Sequence, residues 1–215
     1  PPSFKVFDGV NAVVHLAGEN IADGRWSESR KNKIKDSRVL STRNLISTLK
    51  SMKNPPDIFV SASAVGFYGK DKPVELYEDL DPGKDFLADV CKEWEHEAFA
   101  ARDHDIRTIA LRIGIVLGYE GGAIKKMLPP FWAGVGGTLG DGNQWMSWIH
   151  IKDLVGMIIH SLENKTIQGA YNATSPDPVT NKAFTKCLAK VLRRPAILPV
   201  PKLALKIILG EMSDL

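Results

Sequence analysis

The chain has 215 residues, of which 44% are hydrophobic and 25% are charged. These ordinary globular values exclude a disordered, collagen-like or coiled-coil chain. The formal net charge of +3 is too small to indicate a nucleic-acid-binding protein, and two widely separated cysteines exclude a disulfide framework. The apolar stretches are too short to span a bilayer and no charged-then-apolar leader opens the chain, so we expect a cytoplasmic protein without membrane contact.

The first half of the chain alternates between short apolar segments and helical patterns. Residues 11–17 form a nearly continuous apolar segment that predicts a strand buried on both faces. Hydrophobic residues recur at helical spacing over 31–52. Two further strands are predicted at 57–63 and 107–113, separated by a helix at 86–102. This alternation predicts a parallel sheet with helices on its faces.

The second half of the chain is less regular. A helix is predicted to begin with Asp153 as its N-cap and to end near residue 164. Residues 169–201 predict a short strand, a helix at 181–192 and proline-rich turns. His150 and Asp153 are only two candidate metal ligands, whereas a closed zinc site needs four, so we predict no metal site.

A glycine-rich turn that could hold a dinucleotide is missing from these elements. A doubly wound sheet that binds a dinucleotide begins with a strand, such a turn and a helix whose N-terminus takes the pyrophosphate. Residues 1–10 are too few to supply them. The glycine-rich segment at 134–142 is no substitute because no helical pattern follows it, and we predict a flexible loop there. We therefore expect that the natural protein continues before Pro1.

Six short segments follow one another in a specific order and spacing. They are VHLAGEN at 14–20, VSASAVGFYG at 60–69, LRIGIVLG at 111–118, KMLPPF at 126–131, WIHIKD at 148–153 and GAYN at 169–172. Together they resemble the extended short-chain dehydrogenase/reductase superfamily, and within it the branch of nucleoside-diphosphate-sugar epimerase-like proteins. The resemblance covers about residues 11–211. It implies a Rossmann-type doubly wound parallel sheet that binds NADP or NAD, with NADP favoured, and a smaller C-terminal lobe that closes over a substrate.

The resemblance also implies a domain division and a set of partners. We assign residues 1–120 and 143–165 to the NAD(P)-binding domain, and residues 121–142 and 166–215 to the substrate-binding lobe. The implied partner is a small molecule, with a nucleotide sugar as the candidate. Helix-paired homodimers are common among such proteins, so a homodimer is the expected assembly. A glycine-rich strand–turn–helix unit is expected before Pro1, and a further helical stretch after Leu215.

Cofactor contacts are implied at the carboxyl ends of the predicted strands, where ligands dock in open α/β sheets. Leu16, Ala17 and Gly18 end the first strand, and Gly18 leaves room for a ribose or phosphate beside the backbone. Arg38 stands where the superfamily has a polar helix residue that faces the cofactor, and an arginine fork matches phosphate oxygens. The other implied contacts lie at the ends of the second and third strands, at Ser61, Ala62, Arg112, Gly114 and Val116.

Proton transfer in this superfamily usually depends on a tyrosine with a lysine four residues later, and on a serine or threonine that holds the same oxygen. Ser63 matches the serine, and Lys92 matches the lysine by its place in the helix after an acidic loop at 75–85. Ala88 stands four residues before Lys92 and cannot transfer a proton, so the usual pair is broken. We predict Tyr68 as the substitute phenol, with a packing or substrate-lining role as its alternative.

Three functions compete at this point, and we expect the first, with the second as its alternative. The first is an NAD(P)-dependent epimerase or oxidoreductase that transfers hydride on a sugar nucleotide or a related alcohol. The presence of Ser63, Lys92 and Arg112 favours this function. The second is an NAD(P)-binding regulatory module with weak catalysis, which Ala88 favours. A serine hydrolase is set aside because Ser63 lies in no Gly-x-Ser-x-Gly motif.

Overall fold

The computed structural model describes residues 2–70, 75–119, 121–196, 199–201 and 206. In this part of the chain the helices and strands are, in order, β1 (Ala12–His15), α1 (Glu28–Asp36), α2 (Val39–Lys50), β2 (Ile58–Ala64), α3 (Phe86–Phe99), β3 (Arg107–Ile113), β4 (Ile115–Leu117), α4 (Gly122–Trp132), β5 (Trp145–Met146), β6 (Trp148–His150), α5 (Ile151–Glu163), β7 (Gly169–Ala173), β8 (Val179–Thr180) and α6 (Asn181–Leu192). Among these residues, no helix is long and apolar enough to cross a membrane.

Four strands form the central sheet in the order β1-β2-β3-β7, and every pair is parallel. In this register Ser63 of β2 lies opposite Arg112 of β3, which lies opposite Asn172 of β7. Because the strands are parallel, their carboxyl ends meet at one edge of the sheet. The predicted α/β fold with a Rossmann-type parallel sheet is confirmed, and its first three strands run side by side as expected.

The sheet is held by a core of apolar side chains from strand β2 and from two helices. Phe59 of β2 packs in one cluster with Ile46 and Leu49 of α2 and with Ala98 of α3. Leu49 and Phe59 are fully buried, and burial of each such side chain stabilises the fold by about 1.5–3 kcal/mol. The predicted helix spacing therefore identified the inner faces of α2 and α3.

The predicted helix over 31–52 is two helices, α1 and α2, which meet at Ser37 and Arg38. The hydroxyl of Ser37 donates to the carbonyl of Ile34 at 3.0 Å. Such local side-chain bonds to the backbone compete with helix continuation. The hydrophobic spacing could not reveal this break because both halves keep a helical pattern.

Two further helices differ from the prediction: α5 begins earlier than expected, and α4 was not predicted at all. Helix α5 begins at Ile151, so Asp153 lies in its first turn and is not the N-cap. A carboxylate there still interacts favourably with the helix dipole. Helix α4 was not predicted because it contains Pro129 and Pro130, and proline normally interrupts a helix.

The chain divides into two compact units. The first comprises Pro1–Ile21, Glu28–Ile113 and Val155–Ala173, and the second comprises Ala22–Ser27, Gly114–Leu154 and Thr174–Leu215. The first unit contains the central sheet, whereas the second contains a parallel pair, β4 with β6, and an antiparallel pair, β5 with β8. Strand β7 belongs to the first unit because its backbone pairs with β3, although the sequence assigned residues 166–215 to the smaller lobe.

Candidate functional site

The carboxyl end of β1 is open and carries a cation. Leu16 is 53% exposed, and Ala17 and Gly18 are exposed as well. The guanidinium of Arg38 lies directly against Gly18, because a Cβ at position 18 would be only 3.1 Å from Cζ of Arg38. Any side chain at Gly18 would therefore displace the arginine. The structure brings together these four residues, all of which the sequence predicts as cofactor contacts.

Arg38 is half-buried and has no carboxylate partner. Its Nη1 donates to the carbonyl of Ile34 at 3.1 Å, and its Cζ lies 5.4 Å from the ring centre of Trp94. Burial lowers the pKa of Arg38. Glu19, which is close enough to oppose that shift, forms its salt bridge with Arg30 at 2.5 Å. Within the described ranges no carboxylate lies within salt-bridge distance of Arg38, so its charge is available to an anionic ligand.

A buried hydrogen-bonded network lies at the end of β2. Ser63 is 3% exposed, and its hydroxyl lies 2.6 Å from Oε1 of Glu95. Arg112 donates to both oxygens of Glu95, from Nε at 2.9 Å and from Nη2 at 3.0 Å. A carboxyl group that receives both prongs of an arginine fork is ionised and only accepts, so Ser63 is the donor in its bond. The proton of Ser63 is thus committed to Glu95.

Tyr68 extends this network toward β7. Its phenol oxygen accepts from Nη1 of Arg112 at 2.9 Å, and its hydroxyl donates to Oδ1 of Asn172 at 2.7 Å. The side-chain amide of Asn172 donates to the carbonyl of Leu76 at 3.0 Å, and its backbone N–H donates to Oε1 of Glu78 at 2.8 Å. Tyr68 is 1% exposed and its only proton is engaged inside the protein. This geometry counts against a role as proton acceptor and favours the packing alternative.

Arg112 is surrounded by the protein on every side of its guanidinium. Besides the bonds to Glu95 and Tyr68, Nη1 donates to the carbonyl of Glu78 at 3.0 Å, and Cζ lies 3.5 Å from the ring centre of Phe67. Burial lowers its pKa, but the hydrogen bonds to Glu95 and Tyr68 outweigh burial and raise it. All three nitrogens of Arg112 have partners, so the structure favours a structural role over the predicted cofactor contact.

Helix α3 presents Cys91 to the end of β2 and turns Lys92 toward solvent. Lys92 is exposed, whereas Ala88 and Cys91 are buried. The thiol of Cys91 lies near Ser63 and the backbone N–H of Ala64, and burial raises its pKa to about 12. A shift of one residue rotates a side chain by about 100° around a helix. Cys91 therefore faces Ser63, whereas Lys92 lies on the exposed side of α3, and the catalytic role of Lys92 stays a prediction.

The residue four positions before Cys91 is Leu87. A Cβ at Gly66, in the turn after β2, would lie 3.3 Å from Cβ of Leu87 and 3.9 Å from Sγ of Cys91. Leu87 and Cys91 thus face the turn that follows β2, one helical turn apart. Ala88 is fully buried and its small size reflects packing. Neither Leu87 nor a neutral thiol at Cys91 is a general base.

Four further residues were predicted as cofactor contacts, two in strand β2 and two in the second unit. Ser61 and Ala62 are buried in β2, where the Ser61 hydroxyl donates to the carbonyl of Ala62 at 2.9 Å. Gly114 and Val116 lie in the second unit. A Cβ at Gly114 would be 2.7 Å from the carbonyl oxygen of Ser147, so this glycine allows two backbone segments to approach. In the part of the chain described, no group of three or more His, Cys, Asp or Glu side chains could hold a metal ion.

Comparison with known families identifies the chain. Residues 3–174 match the family described as "NAD dependent epimerase/dehydratase family". The chain belongs to the NAD-dependent epimerase/dehydratase family. This confirms the resemblance that the six short sequence segments indicated.

Relatives within the epimerase/dehydratase family match nearly the whole chain. The chain is 44% identical over 205 residues to "Epimerase family protein SDR39U1 homolog, chloroplastic" from Arabidopsis thaliana, a match that covers 94% of this chain and 58% of the relative. The crystal structure of the human epimerase family protein SDR39U1 (isoform 2) with NADPH is 32% identical, with a TM-score of 0.88 over 97% of this chain and 73% of that one.

A more distant structure shares the fold. UDP-glucuronic acid 4-epimerase from Bacillus cereus, solved with UDP-glucuronic acid and NAD, is 21% identical with a TM-score of 0.80, covering 92% of this chain and 64% of that chain. The chain thus spans less than two thirds of the length of the plant relative and of this epimerase.

Three residues of the network were missed by the sequence reasoning. Glu95 lies on the apolar face of α3 together with Cys91 and Ala98. A glutamate at such a position is the available signal, because an ionised side chain is rarely buried without a cationic partner. Glu78 and Asn172 carry no comparable signal in this member of the epimerase/dehydratase family, because their partners come from distant parts of the chain.

Proposed function

We propose that the protein binds an NAD(P) cofactor at the carboxyl edge of its central sheet. Arg38 would contact a cofactor phosphate or ribose, and Leu16, Ala17 and Gly18 would lie beside it through their backbone. The observation that carries the proposal is the half-buried guanidinium of Arg38, whose Nε and Nη2 make no hydrogen bond to any described residue. An arginine fork of this kind fits phosphate oxygens. The NADPH in the human relative's crystal structure supports NADP(H) as the preferred form.

The residues at the end of β2 favour weak chemistry with such a cofactor. A bound nicotinamide supplies the hydride acceptor or donor, and the protein must add a group that moves a proton at the substrate oxygen. Ser63 and Tyr68 have committed their protons to Glu95 and Asn172, and Lys92 is exposed. Cys91, with its pKa raised to about 12 by burial, stays a neutral thiol. We therefore prefer the NAD(P)-binding regulatory module to a tyrosine–lysine oxidoreductase.

Hydride transfer on a sugar nucleotide or a related alcohol is the second candidate. Membership of the epimerase/dehydratase family favours it, as does the position of Ser63 at the carboxyl end of β2. In this case the substrate would occupy the smaller lobe, predicted at 121–142 and 166–215. We propose one change to that division: residues 169–173 go with the cofactor-binding sheet, since β7 pairs with β3.

Two measurements on the full-length protein separate the candidates. Titration with NADPH and NADH, followed by the fluorescence of the reduced nicotinamide, should show binding with NADPH preferred. Incubation with NADP⁺ and a panel of nucleotide sugars should show no turnover, either by the absorbance of reduced nicotinamide or by chromatography of the sugar products, which is needed because an epimerase returns the hydride and leaves no net NADPH. Turnover that Ser63→Ala abolishes would establish the second candidate. Absence of binding by either cofactor would refute both.

The compartment and the assembly stay predictions. A cytoplasmic location is expected from the sequence, whereas the plant relative is named as chloroplastic. The homodimer is tested by sedimentation of the purified protein.

A further inference from the structure

Positive charge is concentrated near the C-terminal end of the sequence. Residues 178–210 include seven lysine and arginine residues and no aspartate or glutamate. The whole chain has a formal charge of only +3, so the remainder is net negative. The small total charge, which gave no indication of a polyanionic partner, therefore hides a strongly cationic segment.

Helix α6 displays three of these cations in one row. Asn181 and Thr185 are buried and mark the inner face of the helix. Lys182, Lys186 and Lys190 are exposed and recur every four residues, so they follow one line along the outer surface. Like charges at this spacing destabilise a helix. The row of three lysines therefore does not stabilise helix α6.

An apolar row lies beside the lysine row. Ala183, Cys187 and Val191 each follow a lysine by one position, which places them about 100° further around the helix. All three are exposed, and Val191 is 73% exposed. These six residues together form the outer face of α6. Within the described ranges, no carboxylate lies within salt-bridge distance of its lysines.

We propose that the outer face of α6 docks onto an anionic lipid bilayer. A row of lysines beside a row of exposed apolar side chains fits this surface, because the ammonium groups contact acidic headgroups while the apolar groups enter the boundary with the acyl chains. A surface that binds single-stranded nucleic acid usually has aromatic side chains on which the bases stack. The six residues of the outer face include no aromatic residue. Three lysines on a helix of 12 residues give reversible adsorption to the surface.

Co-sedimentation of the full-length protein with vesicles tests the proposal. We expect binding to vesicles of phosphatidylcholine with phosphatidylserine, no binding to phosphatidylcholine alone, and weakening by added salt. The triple variant Lys182→Gln/Lys186→Gln/Lys190→Gln should bind about a hundredfold more weakly, since each lysine near an anionic surface contributes about a factor of five. Absence of binding by the unmodified protein would overturn the proposal.

A matched control variant separates the effect of the outer face of α6 from the effect of the protein's total charge. Lys33, Lys53 and Lys165 are exposed lysines of the first unit, and changing all three to glutamine alters the net charge equally. We expect this control to lose less than threefold in vesicle affinity, and equal losses in both triple variants would refute a specific face. Circular dichroism should show that both variants keep the helical content.

The apolar row is tested by Val191→Ser. We expect vesicle binding about tenfold weaker, because a valine that enters the acyl boundary leaves water. Binding of polyuridylic acid should be weaker than vesicle binding and should not respond to this change. Tighter binding to the RNA than to vesicles would assign the face to nucleic acid and overturn the lipid proposal.

Discussion

Two arginines at the same edge of the sheet have opposite environments. Arg38, beside the end of β1, is half-buried, has lost hydration and forms no salt bridge with a carboxylate of the described residues. Arg112, at the end of β3, has Glu95, Tyr68 and a backbone carbonyl around its guanidinium. A buried cation with a complete set of partners contributes to folding, whereas one without a counter-ion is suited to an anionic ligand. The partners, rather than the residue type, separate structure from binding.

The strongest test of this contrast is removal of the carboxylate that pairs with Arg112. We expect Glu95→Ala to lower the free energy of unfolding by about 3–5 kcal/mol, because it leaves a buried charge without its partner. Urea unfolding measures the change. The control is Glu93→Ala, at a residue of the same helix as Glu95. This change removes a partly exposed salt bridge to Lys35 of α1 and should cost less than about 1 kcal/mol. Similar losses for both variants would contradict a special role for Glu95.

The complementary change is Arg38→Gln. We expect the Kd for NADPH to rise about 10- to 100-fold, since a hydrogen bond to a charged group contributes about 1.5–3 kcal/mol. Stability in urea should fall by about 1 kcal/mol or less, because the variant loses only the hydrogen bond to the carbonyl of Ile34 and the contact with the Trp94 ring. Arg43→Gln, at an exposed arginine that pairs with Glu97, should leave the Kd unchanged. If Arg38→Gln destabilises the fold but binds NADPH normally, the two arginines do not differ as described.

Tyr68→Phe tests whether the phenol serves the fold or the chemistry. We expect a loss of about 1–2 kcal/mol in urea, because Oδ1 of the half-buried Asn172 loses its donor. NADPH affinity should be unchanged. Tyr77→Phe is the control, since Tyr77 is 58% exposed and bonds only to nearby Glu75. A variant of Tyr68 that is fully stable but loses turnover would restore the proton-acceptor role.

The smallest expected effect concerns His15, the last residue of β1. Its Nε2 is buried without a hydrogen-bond partner, and burial lowers its pKa below 6.5. Below about pH 6.5 the unfolded chain therefore takes up a proton before the folded one does, so stability is present above this pH and falls as the pH drops further. Urea unfolding from pH 8 to pH 5 should show a shallower decline in His15→Gln. Identical slopes would mean that His15 does not contribute.

The sheet could be predicted because each of its strands carries a local signal. Residues 57–63 and 107–113 are short apolar segments, and the structure has strands β2 and β3 within one residue of those bounds. The helices after the first two strands follow from spacing, apart from the interruption at Ser37. Side-chain bonds to the backbone from Ser37, Arg38 and Ser41 lie at that interruption, and hydrophobic periodicity does not record them.

The site was predicted only in part because residue type does not reveal a partner. Gly18 and Arg38, which the sequence predicted separately as cofactor contacts, are 20 positions apart and lie against each other. Lys92 was predicted from its place after the acidic loop, and the structure shows it exposed on α3, because a step of one position on a helix turns a side chain from the buried face to solvent. Cys91 is the residue that faces Ser63.

Local pattern along the chain was sufficient for the α/β class and the parallel strands, because burial imposes periodicities that a single segment displays. The epimerase-like family was indicated by the resemblance of six short segments. Tertiary structure alone decided which charged and polar groups are satisfied. Tyr68 and Asn172 are separated by 104 positions, and Ser63 and Glu95 by 32. Whether a side chain still has a proton or a charge to offer a ligand depends on such distant neighbours, and no local pattern contains them.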